Sequence, residues 1–149
     1  MDGVLLDKAF YTPACWENDD LSCVEMEMTP TQYAVAFPHS GTGLKAQIDE
    51  FIREQTENGW LASLESKWFS KNEPTIQTPD LSQLTGENGV LRVATNSESR
   101  PFSYLKDGGV CGFDLDFIFK VLDDHSNNGK KVLSDFDNAT IGGSYGNRL

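Results

Sequence analysis

The stretch LRVATNSESRPFSYLKDGGVCGFDLDFIFKVL, residues 91–122, decides how the chain is read. Residues 90–94 read as a strand. Pro101 marks a corner. The runs 102–105 and 110–113 flank KDGG, and Asp-Gly between apolar runs is a hairpin signal. Phe113, Phe117 and Val121 then recur at helical spacing, with Leu115, Ile118 and Leu122 on the next row. Residues 113–122 therefore read as a helix that is apolar on more than one side. A strand, a corner, a hairpin and a helix make the opening of a domain, yet 90 residues precede it.

Those preceding residues read like a domain's close. GVLL (3–6) suits a buried strand, VEMEM (24–28) alternates like a half-exposed one, and YAVAF (33–37) is a third, closed by Pro38. Leu44, Ile48, Phe51 and Ile52 fit one face of an amphipathic helix, which Asn58-Gly59 stops. Trp60, Leu61, Leu64 and Trp68 restart at once as a second helix. Residues 70–89, polar with two prolines and two glycines, make the best linker. HSNNGKK (125–131) reads as a loop, and 139–142 as a last strand. The alternation of strands and helices gives an α/β class.

Composition excludes several functions. The net charge of −11, from 12 basic and 23 acidic residues, argues against a nucleic-acid partner. No apolar run reaches membrane-spanning length, and residues 1–6 do not look like a signal peptide. Cys15 and Cys23 are close enough in sequence to pair, leaving Cys111 free. Three free thiols fit the sequence equally well. If the setting is extracellular, the expectation is the disulfide, with Cys111 buried as a small hydrophobe.

GGSYG (142–146) matches the G-x-S-x-G nucleophile elbow, but that arrangement needs an acid and a histidine after the serine. Only three residues follow Gly146, and His39 and His125 both precede Ser144. A serine hydrolase using Ser144 is the less favoured reading, and no enzyme is expected. The carboxylate pairs Asp114/Asp116, Asp123/Asp124 and Asp135/Asp137 lack the spacing of a calcium loop and read as solvated faces. Asp114 suits a cap or helix-dipole role. No metal site or cofactor is expected. Asp7 has two readings: the N-cap of a helix starting near Ala9, or a carboxylate at a strand end, facing the crevice where α/β sheets bind ligands.

Taken together, residues 91–122 resemble the start of the extracellular solute-binding proteins of family 3, the amino-acid receptors of ABC importers. The matching points are Pro101-Phe102 and Gly112-Phe113-Asp114-Leu115-Asp116. Residues 2–69 are similar to the end of the same family, through Asp2-Gly3 with Asp7, the run 33–37, Asn58-Gly59 and Lys67-Trp68-Phe69. SDFDNATIGGSYGNRL (134–149) looks more weakly like the start of the family's second lobe.

The resemblance implies a type II periplasmic-binding-protein fold with incomplete or permuted lobes. Residues 1–69 would be the tail of one solute-binding domain, 70–89 a linker and 90–149 the head of the next. In the family the closing helices return to the lobe that the start builds, so 33–69 should pack on 90–122. GVLL and residues 139–142 should lie side by side as parallel strands.

The implied function is binding of a polar amino acid or similar small molecule for an importer. The alternative is the ligand-sensing domain of a membrane-bound kinase or cyclase. Asp7 would hold the ligand's amino group, Tyr145 and Gly146 would meet its carboxylate, and Asn96, Ser99 and Phe102 would line the first-lobe mouth. Ser99 stands where the family often has a stacking aromatic, and the segment bearing the family's carboxylate-clamping Arg is absent. Weak affinity is therefore expected. The implied setting is extracellular or periplasmic, tethered to a membrane in the full-length protein. The implied partners are a permease or signalling domains. Homodimerisation by strand exchange is open to it.

Overall fold

Asn58-Gly59 shows how local chemistry sets the architecture. Gly59 has φ of 81°, a left-handed conformation that glycine adopts without steric cost. It closes α2 (Thr42–Glu57) and opens α3 (Trp60–Trp68). The Asn58 side chain serves both helices: its amide donates to Gln55 Oε1 at 3.1 Å, and its carbonyl accepts the Trp60 N–H at 2.9 Å. The exposed face of α2 carries the ion pairs Lys45–Asp49, Arg53–Glu50 and Arg53–Glu57. Its other face delivers Ile48 and Phe51 to the interior.

The computed structural model describes residues 6–22, 24, 32–38, 42–72, 74–76, 90–96, 98–107, 109–127 and 138–142. Besides α2 and α3 these contain α1 (Lys8–Glu17), α4 (Phe113–Asn127) and five strands: β1 (Val90–Ala94), β2 (Glu98–Ser99), β3 (Ser103–Lys106), β4 (Gly109–Cys111) and β5 (Asn138–Gly142). β2, β3 and β4 form an antiparallel sheet, and β1 pairs with β5 in parallel. The class is mixed α/β. No helix among the described residues is long and apolar enough to cross a membrane.

The expected hairpin is present, one residue shifted. Lys106 pairs with Gly109, and Asp107 turns the corner at φ of 51°. Phe102 and Gly112 fall outside the ladder because their backbones have another use. The Phe113 N–H donates to the Pro101 carbonyl at 3.0 Å, and the Asp114 N–H donates to the Phe102 carbonyl at 2.9 Å. These are first-turn amides of α4, which have no partner inside the helix. Gly112, at φ of 139°, lies so close to the corner that a Cβ would sit 2.2 Å from the Phe102 carbonyl oxygen. The Pro-Phe and Gly-Phe-Asp pairs are thus two halves of one capping arrangement. The Arg100–Pro101 peptide at this corner is cis.

Residues from both halves share one core. Ile48, Phe51, Leu64 and Trp68 of the helix pair are buried with Cys111, Phe117, Ile118, Val121 and Leu122. Phe51 and Phe117 meet edge to face at 5.6 Å between centroids. The expected packing of the helix pair on α4 is observed, and the energetic reason is plain. Each large apolar side chain left in water forfeits ~1.5–3 kcal/mol.

Asp116 adds a polar link across the same interface, accepting from Lys67 Nζ at 2.6 Å and from the Trp68 indole N–H at 2.8 Å. Asp114 accepts from Thr95 Oγ1 at 2.5 Å and ties the start of α4 to the end of β1. Both carboxylates are half-buried. This corrects the solvated-face reading: each carboxylate has a donor waiting from another part of the chain.

Other expectations are corrected. Residues 33–37 are not a strand; no neighbouring strand offers them a ladder among the described residues, and Tyr33 and Val35 are exposed. β5 pairs with β1, from Val90↔Asn138 to Ala94↔Gly142, so its partner is the strand at the start of the "head". The expected strands GVLL and VEMEM, and the pairing of GVLL with residues 139–142, lie outside the described residues apart from Leu6 and Val24, which are exposed. α4 runs to Asn127, through the start of the expected loop. The first part of the expected linker packs: Ile76 lies against the core.

Candidate functional site

α1 crosses the Pro101-Phe102 corner, and it assembles two adjoining sites there. At its N-terminal end, Phe10 contacts Phe102 at 6.2 Å between ring centroids. Tyr33 contacts the same ring at 4.6 Å, Phe69 at 5.3 Å and Phe113 at 6.2 Å. Phe102 is therefore the centre of a five-ring cluster drawn from five segments. Its inner members, Phe69 and Phe113, also pack on the core, while Phe10 and Tyr33 remain largely exposed.

Asp7 stands at the N-cap position of α1. Its backbone carbonyl accepts from the N–H groups of Phe10 and Tyr11, but its carboxylate makes no capping bond. The Tyr33 phenol is held above its ordinary value, by partial burial first and by the Asp7 charge second. Asp7 thus stands close enough to Tyr33 to act on its phenol, and the Tyr33 ring packs on Phe102, distant in sequence. An exposed carboxylate beside aromatic faces suits an ammonium group, through a charge-assisted hydrogen bond and cation–π attraction.

The other expected ligand residues behave differently. The Asn96 side-chain amide donates to Ser99 Oγ at 2.8 Å, and its carbonyl accepts the Glu98 N–H at 3.0 Å. Both ends of that side chain are thereby committed to shaping the turn before β2. Tyr145 and Gly146, like Ser144, lie outside the described residues.

The second site lies at the C-terminal end of α1. A cleft of about 300 Å³ separates α1 from the end of α3 and the β2–β3 corner. Trp16, Trp68, Tyr104, Pro13 and Pro101 supply its apolar walls, and Glu17, Lys71 and Arg100 its charges. Arg100 donates to Glu17 Oε1 at 2.6 Å and lies over the Tyr104 ring at 5.2 Å. Sequence reasoning missed this cleft, because Trp16, Glu17, Lys71 and Arg100 come from three segments with no motif between them. The nearest signal was Pro101.

Two further groups are structural. Cys15 is disulfide-bonded and Cys111 is free and buried; Cys23 lies outside the described residues. Burial pushes the Cys111 thiol up, which a hydrogen bond with Tyr104 only partly offsets. No set of three metal-ligating side chains gathers among the described residues. No family model matches the chain, and neither a curated protein nor a solved structure is significantly similar to it.

Proposed function

We propose that this chain is a solute-binding module for polar amino acids or similar ammonium-bearing small molecules, built like part of a type II periplasmic binding protein. It binds rather than catalyses. The observation that carries the reading is the placement of Asp7 beside the ring cluster of Phe102. Asp7, from the tail-like half, acts on Tyr33, whose ring packs on Phe102 of the head-like half, and the Asp7 carboxylate makes no capping bond to the helix end. The shared core of the two halves supports the same reading, since in the resembled family both ends of a domain build one lobe.

In this reading the carboxylate takes the ammonium group and the rings take the ligand's body. The partner is an importer's permease or the signalling domains of a larger membrane-tethered protein, in an extracellular or periplasmic setting. Titration calorimetry against the common L-amino acids tests the proposal. Saturable binding with Kd of roughly micromolar to millimolar is expected, and Asp7→Asn should weaken it at least about tenfold, the scale of one charged hydrogen bond. No saturable heat with any amino acid at about 10 mM, or equal binding by the variant, overturns it.

A further inference from the structure

We propose that the cleft at the C-terminal end of α1 is a binding site for small organic anions, a carboxylate carried on a planar apolar body. The site is separate from the Asp7 edge: Glu17 lies ten residues along the chain from Asp7, about 15 Å at the α-helical rise. It does not rest on the amino-acid reading.

Three observations carry it. The first is local charge. The chain as a whole is strongly acidic at −11, yet among the described residues the cleft's charged lining is two cations, Lys71 and Arg100, against one acid, Glu17. An anion entering the cleft meets two cationic side chains, one of them held only by an exposed ion pair. The second is the state of Arg100. Its guanidinium is fixed over the Tyr104 ring and gives one N–H to Glu17. A guanidinium has five donors in a planar fork that matches a carboxylate in two places. The Glu17 pair is exposed on both sides, at 43% for Arg100 and 61% for Glu17, and such pairs hold weakly. A ligand carboxylate therefore gains the fork by displacing a weak partner rather than a buried one.

The third is the shape and composition of the walls. Trp68 is buried and stands edge to face with Tyr104 at 6.2 Å, and Trp16 closes the side. Pro13 and Pro101 offer apolar faces and no N–H donors. A planar apolar body has rings to lie against, and the volume sits at the lower end of the range for small-molecule sites.

The probe is phenylacetate, with phenylacetamide as its uncharged counterpart, titrated into the full ¹⁵N-labelled chain. The three tryptophan indole N–H signals report separately. Phenylacetate should move the Trp16 signal saturably and leave Trp60, which packs on Phe51, unmoved. The amide should bind at least about tenfold more weakly, and Arg100→Gln should cost a similar factor, as expected for one charge-assisted hydrogen bond. Lys71→Gln, on the exposed rim, gives a second test that does not touch the fold, with weakening of about threefold for one exposed charge. An unmoved Trp68 signal in the ligand-free variants confirms that the fold is retained. Asp7→Asn should leave phenylacetate binding unchanged. The proposal is overturned by equal binding of acid and amide, by indifference to both cation substitutions, by dependence on Asp7, or by no movement of Trp16 at about 10 mM.

Discussion

Replacing Gly112 with alanine tests the account of the corner most directly. The added Cβ would lie 2.2 Å from the Phe102 carbonyl oxygen, 2.6 Å from its carbonyl carbon and 2.9 Å from the Pro101 oxygen. All three are backbone atoms, so no side chain can swing aside. The backbone must move, and those same carbonyls accept the first-turn amides of α4 at 3.0 and 2.9 Å. Losing two such bonds costs ~1–3 kcal/mol at 0.5–1.5 each. Holding a non-glycine residue at φ of 139° adds ~1–3 kcal/mol. The sum is ~2–6 kcal/mol, a large part of the ~5–15 kcal/mol that holds a domain together.

Urea unfolding followed by far-UV circular dichroism measures it, and Tm should fall by roughly 2–4 °C for each kcal/mol lost. Gly43→Ala is the control. It lies in α2 with nothing within 4 Å of an added Cβ, so it should stabilise by up to ~1 kcal/mol. A Gly112→Ala protein within ~0.5 kcal/mol of the parent, the scale of an ordinary surface change, would refute the capping arrangement.

Asp116→Ala should cost ~2–3 kcal/mol by leaving the buried Trp68 indole N–H without its acceptor, while Asp116→Asn, which keeps an acceptor oxygen, should cost about half; shifts in urea midpoint decide. Ser103 Oγ is buried with no hydrogen-bond partner among the described residues, so Ser103→Ala should be neutral or stabilising by ~1 kcal/mol, and a loss of that size would reveal a partner for the hydroxyl. Burial raises the Asp114 carboxyl above its ordinary 3.8, against a smaller lowering by the Thr95 hydrogen bond. The folded state therefore holds this proton more tightly, and the stability it contributes below pH 3.8 is lost as pH rises through the raised value. Asp114→Asn should remove that loss, so its stability relative to the parent should increase across this window; a constant difference from pH 3.5 to 7 would contradict it. Cys111 should ignore a thiol reagent in the native protein and react after unfolding, because burial both shields the thiol and disfavours its thiolate; rapid native labelling would show the hairpin open.

Elements whose signals are local were legible from the residues alone. Helix periodicity placed Ile48, Phe51, Leu64 and Trp68 on inward faces, and the same was true of Phe117, Ile118 and Val121. Asn58-Gly59 and the KDGG run marked their turns because few residues tolerate the positive φ seen at Gly59 and Asp107. Even the packing of the two halves was legible, since several large apolar faces had no other cover. Strand partners were not. Residues 33–37 carry strand-like sequence but form no ladder, because a ladder needs a neighbour that propensity cannot supply; β5 found β1. The carboxylates of α4 looked solvated because their donors, Thr95, Lys67 and Trp68, lie in other elements. The approach of Asp7 to Tyr33 and its ring partner Phe102, and the pairing of Arg100 with Glu17 in a cleft that Trp16 also lines, depend on α1 lying across the corner. Side chains distant in sequence acquire a common chemistry when the core brings them within a few ångströms, and no local pattern records that distance.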